Sequence, residues 1–113
     1  MINSESQTEL TLFICNLYLN EFNRLKNNWK IETAFISDYN KIINNPSYLS
    51  IIRLGKNIIP LILKELRDND GLWFYALEQL TNKKVALDTI NPTYQELKQA
   101  WLDWGVKNNY IKL

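Results

Sequence analysis

Between Thr8 and Lys30 the apolar positions Leu10, Phe13, Ile14, Leu17, Tyr18, Leu25 and Trp29 recur at intervals of three and four, and Phe22 widens the stripe. That is the period of an α-helix with one apolar face. No Gly or Pro interrupts residues 8–30. The pattern predicts one long amphipathic helix that packs across the rest of the chain through Leu10, Phe13, Ile14, Leu17 and Leu25. Ser6-Gln7-Thr8-Glu9 reads as a capping box at its start, with Ser6 as N-cap. Ile31, Thr33 and Phe35 then alternate as a strand would. A lone short strand has nothing to pair with, so the expectation is a bend or a continuation of the helix.

The remaining punctuation is set by Pro, Gly and capping residues. Ser37 and Asp38 open a short helix carrying Tyr39, Ile42 and Ile43. Pro46 pushes the residue before it out of helical geometry, which ends that helix at Asn44-Asn45. Asn45 becomes the cap of the next helix, with Pro46 in its first turn. Gly55 is a natural stop. Pro60 is tolerated only in a first turn, so a further helix should run from about Asn57 to Arg67. Ile58, Ile59, Leu61, Ile62, Leu63 and Leu66 make that helix apolar on most sides and therefore central. Asp68-Asn69-Asp70-Gly71 is a polar turn. Leu72 to Leu80 forms another helix, with Trp73, Ala76, Leu77 and Leu80 inward. Asn91-Pro92 suggests the start of a last helix reaching about Trp104, with Tyr94, Leu97, Trp101 and Trp104 on one stripe. Gly105 should end or kink it, and Val106, Tyr110 and Ile111 suggest a tail that folds back.

The expected fold is all-α: a single domain over residues 1–113, arranged as a compact orthogonal bundle of five or six helices with a long N-terminal helix. Within it, Tyr48 to Leu80 resembles a HEAT-type helical hairpin. The resemblance is carried by a short apolar helix, Gly55, Ile59-Pro60-Leu61-Ile62, Leu66, the turn at Asp68 and Asp70, and then Ala76 and Leu80. It amounts to one unit, whereas repeat arrays need about three. The wider pattern resembles a small bacterial protein family without a characterised activity. It comprises Trp29, Glu32-Thr33, Phe35 and Ser37; Asn45-Pro46-Ser47-Tyr48, Ile51-Ile52 and Gly55; Pro60-Leu61-Ile62-Leu63 and Glu65-Leu66; Trp73-Phe74, Ala76-Leu77 and Thr81; and Ala100-Trp101, Trp104-Gly105 and Tyr110. The resemblance implies an intracellular protein of mobile or defence-type loci and carries no activity with it.

Composition narrows the chemistry. The chain has 113 residues and no His, which removes the commonest general base and metal ligand. Cys15 is the single cysteine, so no internal disulfide forms. Its apolar neighbours Ile14 and Leu17 suggest a buried, inert thiol. Thirteen basic residues against twelve acidic ones leave +1. A nucleic-acid binder usually carries a marked basic excess. No run approaches the ~18 apolar residues of a membrane span, and no export signal opens the chain, so a cytoplasmic location is the expectation. The richness in Asn, Ile and Lys fits an AT-rich genome better than a ligand site.

The chemistry-bearing candidates read mostly as surface. Asp68-Asn69-Asp70-Gly71 superficially matches a calcium loop, but Leu72, Trp73 and Phe74 fall where oxygen ligands are needed. Glu96 with Asp103, and Glu65 with Asp68, read as solvated helix faces. Ser37 and Ser47 suit N-caps better than nucleophiles. No Gly-rich phosphate loop exists, and no cofactor or metal is implied. The aromatics say more. Leu72-Trp73-Phe74-Tyr75 surrounds a whole helical turn, and Trp101 and Trp104 share a face. One small core does not easily bury them all. Trp73, Phe74, Tyr75, Trp101 and Trp104 are therefore the candidate partner-binding residues, some of them destined for the core.

The expected function is that of a non-enzymatic protein-binding module, such as an antitoxin, immunity or adaptor protein, acting by occluding a partner surface. Two rivals stand beside it. A helical nucleic-acid-binding regulator would need Arg53, Lys56, Lys64, Arg67, Lys83 and Lys84 to converge. A structural subunit would homodimerise through the long helix.

Overall fold

The computed structural model describes residues 4–112 apart from Ala86 and Asp88, with side chains from Thr8 onward. Among the described residues there are six α-helices, one 3₁₀ turn and no strand, so the fold is all-α. The helices are α1 (Ser4–Glu32), α2 (Tyr39–Ile43), α3 (Pro46–Arg53), α4 (Ile59–Asn69), α5 (Phe74–Thr81) and α6 (Tyr94–Lys107). No described helix is long and apolar enough to cross a membrane. Backbone contacts group the chain into two units that meet between Leu54 and Gly55.

The first unit holds α1 to α3. Helix α1 begins at Ser4, so Ser6 lies inside the helix and is not its cap. The Ser6 side chain lies outside the described part. The C-terminal half of α1 buries Phe22, Leu25 and Trp29, and α3 packs on the same helix. The Trp29 ring meets Tyr48 at 4.8 Å, and its indole N–H donates to the Ile42 carbonyl at 3.0 Å. Tyr48 and Ile51 are fully buried. After Glu32 the chain turns, and Thr33 returns both its N–H and its hydroxyl to the Trp29 carbonyl. Asp38, not Ser37, caps α2 by accepting from the Asn40 N–H. Asn45 caps α3 as its position before Pro46 requires, accepting from the N–H groups of Ser47 and Tyr48. The Ser47 hydroxyl is no cap; it donates to Glu32 Oε1 at 2.6 Å.

The second unit is built on α4. Gly55, at φ 88°, makes the turn that an L side chain resists. A 3₁₀ turn over Lys56–Ile58 leads into α4, which carries Pro60 in its first turn. Ile59, Ile62, Leu63 and Leu66 are at most 1% exposed. Helices α5 and α6 both pack on α4. Helix α5 starts at Phe74, two residues later than expected, and buries Ala76, Leu77 and Leu80. Helix α6 starts from Thr93 rather than Asn91. Thr93 accepts from the Glu96 N–H and Glu96 accepts from the Thr93 N–H. This reciprocal box uses both side chains, Thr93 and Glu96, to satisfy two end donors.

Gly105 does not stop α6, which runs on to Lys107. Its bare Cα is there for closeness: a Cβ would sit 2.7 Å from Leu63 Cδ1 and 3.2 Å from Ile111 Cγ1. The tail folds back as expected. The Tyr110 N–H donates to the Gly105 carbonyl at 2.8 Å, and Ile111 is buried.

Candidate functional site

The largest departure from expectation lies on α1. Leu10, Phe13, Ile14 and Leu17 do not pack into the chain. They are 52%, 60%, 44% and 53% exposed, and Leu12 and Leu19 are exposed beside them. Length explains this. Helix α1 has 29 residues against 8 in α3 and 5 in α2. At 1.5 Å per residue it runs for roughly 43 Å beside partners of roughly 12 and 8 Å. The short helices cover one half and the other half extends beyond them. Cys15 sits on the uncovered half and is exposed, so the expectation of a buried thiol fails.

The uncovered segment is unusual as a sequence as well. Between Thr8 and Asn20 the only charged residue is Glu9. Thr, Phe, Ile, Cys, Tyr and Asn are indifferent helix formers. A segment of this kind holds its helix chiefly through packing of its apolar face. Leu10, Phe13, Ile14 and Leu17 lie at i, i+3, i+4 and i+7 and form one stripe, while Leu12 and Leu19 lie on another side.

The five aromatic candidates divide. Trp73 is 0% exposed and Trp101 is 1% exposed, so both are core and offer no surface to a partner. Phe74, Tyr75 and Trp104 are half-buried. Phe74 packs on Tyr94 at 5.2 Å. Trp104 meets Trp101 edge-on at 5.4 Å and stacks on Tyr110 at 5.2 Å. These rings spend part of their area on one another. Beside Trp104 is a hollow of about 640 Å³ between α6 and Lys83, Lys84, Val85 and Leu87. Three lysines and two acids share its wall, so it presents no dominant charge.

The polar candidates are occupied structurally. Glu65 is buried rather than solvated, and accepts from the Asn69 amide at 3.2 Å. Asp103 accepts from Gln99, and Glu96 belongs to the α6 cap. Arg67 holds Asp68 and also donates to the Lys112 carbonyl. The guanidinium hydrogen bond holds the Asp68 carboxyl below its ordinary 3.8. Arg24 does the same to Glu21 on α1. Tyr94 anchors the turn before α5: its hydroxyl accepts from the Gly71 N–H and donates to the Gly71 carbonyl, both at 2.9 Å. Burial raises that phenol above its ordinary 10.0. Among the described residues no three His, Cys, Asp or Glu side chains gather as a metal site, and no buried side-chain polar atom lacks a partner.

Of the basic residues named for a nucleic-acid surface, Lys56 and Lys83 border one hollow of the second unit, and Lys64 and Arg67 border another. No family model, curated protein or solved structure matches the chain.

Proposed function

We propose that this chain is a non-enzymatic protein-binding module whose working surface is the uncovered N-terminal half of α1. The observation that carries this reading is the stripe Leu10, Phe13, Ile14 and Leu17, each 44–60% exposed. Exposed apolar patches of this kind are characteristic of interaction sites in folded proteins. An amphipathic helix reading i, i+3, i+4, i+7 is also a recurrent recognition element. The mode of action is occlusion: the helix lays its stripe on a complementary apolar surface and covers it. Whether the role is that of an antitoxin, an immunity protein or an adaptor depends on what is covered.

The test is a comparison of captured proteins from native cells, using the wild type and a Leu10→Glu, Leu17→Glu pair, with a Phe74→Ala, Tyr75→Ala pair alongside. The reading expects specific partners to be lost with the α1 pair and kept with the α5 pair. Loss with the α5 pair alone moves the working surface to α5. Capture that none of the substitutions changes removes both surfaces.

A further inference from the structure

We infer that Asp70–Gly71 is a site of spontaneous aspartate isomerisation, and that the Tyr94 hydroxyl holds the reaction back in the folded chain. The reaction needs no enzyme. The Gly71 backbone nitrogen attacks Asp70 Cγ and a C–N bond forms. The carboxyl hydroxyl leaves with the amide proton as water, which closes a succinimide ring. Water then opens the ring at either carbonyl. Opening at the Asp70 main-chain carbonyl routes the chain through the side chain, as isoaspartate of unchanged mass. Three observations place the reaction here.

The first is the junction. Of Gly55, Gly71 and Gly105, only Gly71 follows an Asp or Asn, and glycine puts no side chain in the way of its own attacking nitrogen. The fold also requires glycine at this position. Gly71 lies at φ 121°, and a Cβ there would sit 2.7 Å from Nε1 of the buried Trp73.

The second is backbone geometry. Ring closure brings the Asp Cβ and the following nitrogen close to eclipsed about the Cα–C bond. Tetrahedral geometry puts that at ψ of about −120° for an L residue, whereas helices lie at about −42° and strands at about +135°. Asp70 has φ 62° and ψ −157°, nearer to closure than either regular conformation. Its N–H donates to the Leu66 carbonyl at the end of α4, and its side chain is 57% exposed.

The third is the restraint. The hydrogen that the reaction must remove lies on the Gly71 nitrogen, and it is donated to the Tyr94 hydroxyl at 2.9 Å. The same hydroxyl donates to the Gly71 carbonyl at 2.9 Å. An imide nitrogen carries no hydrogen, so the ring and this clamp exclude each other. Lys98 Nζ engages Asp70 Oδ1 at 2.5 Å. Both restraining side chains come from α6, which packs on α4.

The experiment is incubation of the full chain at neutral pH, followed by peptide mapping that separates the aspartate and isoaspartate forms of the peptide spanning Asp70. The folded wild type should isomerise about tenfold more slowly than the same chain in urea, because two hydrogen bonds must first open. Tyr94→Phe keeps the ring that packs on Phe74 and removes the hydroxyl. It should raise the folded rate by about fivefold and leave the rate in urea unchanged. Ile62→Ala loosens the core of the same unit about two helical turns before Asp70, and should leave the folded rate within about twofold of the wild type. A folded wild type as fast as the chain in urea overturns the restraint. So does Tyr94→Phe at the wild-type rate, or Ile62→Ala accelerated as much as Tyr94→Phe. An Asp70 peptide that yields no isoaspartate even in urea overturns the site.

Discussion

Helix α4 and the first half of α1 each carry a stripe of large apolar residues, and the two stripes end in opposite environments. Ile59, Ile62, Leu63 and Leu66 of α4 are at most 1% exposed, whereas Leu10, Leu12, Phe13 and Leu17 of α1 are more than half exposed. Apolar content does not distinguish them. Neighbours do: α4 has the 3₁₀ turn, α5 and α6 packed on it, while α1 outruns the short α2 and α3. An apolar stripe specifies that something should cover it, and the rest of the chain decides whether that cover is internal. In α4 the stripe is a stability element. In α1 it is a surface.

Substitutions measure how deep that contrast runs. The largest loss is expected in the second unit's core: Trp73→Ala, at a fully buried position, should cost about 3–5 kcal/mol in urea unfolding. Ile62→Ala on α4 should cost about 2–5 kcal/mol. Leu17→Ala, read in dilute monomer, should stay within about 0.5 kcal/mol. Similar losses at Ile62 and Leu17 would break the contrast, because Leu17 would then be packed against its own chain.

Tyr94→Phe removes both hydrogen bonds to Gly71 and should cost about 1–3 kcal/mol. Its pH dependence has a definite sign. Burial raises the folded phenol above its ordinary 10.0, so its contribution is full below about pH 10 and is lost as pH rises through the folded value. Alkaline unfolding of the wild type should show this loss, and Tyr94→Phe should lack it. Thr93→Ala unmakes the capping box of α6 and should cost about 1 kcal/mol. The smallest effect is expected at Arg24→Ala. The Arg24–Glu21 pair lies exposed on α1, where solvent screens it. Glu21 is held below its ordinary 4.5, so what the pair contributes is present above that pH and fades as pH falls. The urea midpoint at neutral pH should not move measurably.

Much of the secondary structure was legible because its signals are local. Asn45-Pro46, the Gly55 turn, Pro60 in a first turn and the three-four spacing each act within one or two helical turns. Errors arose where two local signals competed, as when the Thr93–Glu96 box prevailed over Asn91-Pro92. They also arose where a residue's reason was non-local, as when Gly105 proved to make room for Leu63 and Ile111. The candidate site was less legible. Trp73 and Trp101 stood in sequence both as inward-facing residues and as candidate anchors, and the structure makes them core. Leu10, Phe13, Ile14 and Leu17 look like core and are exposed. The available signal was a disproportion of lengths: one helix of 29 residues followed by helices of 5 and 8.

The sequence by itself determined that the chain is helical, roughly where its helices lie and which face of each is apolar, because backbone geometry and capping are settled by residues a few positions apart. Only the tertiary structure decided which apolar faces are satisfied within the chain. Burial depends on what arrives from distant positions, and Leu10, Phe13, Ile14 and Leu17 of α1 stay exposed.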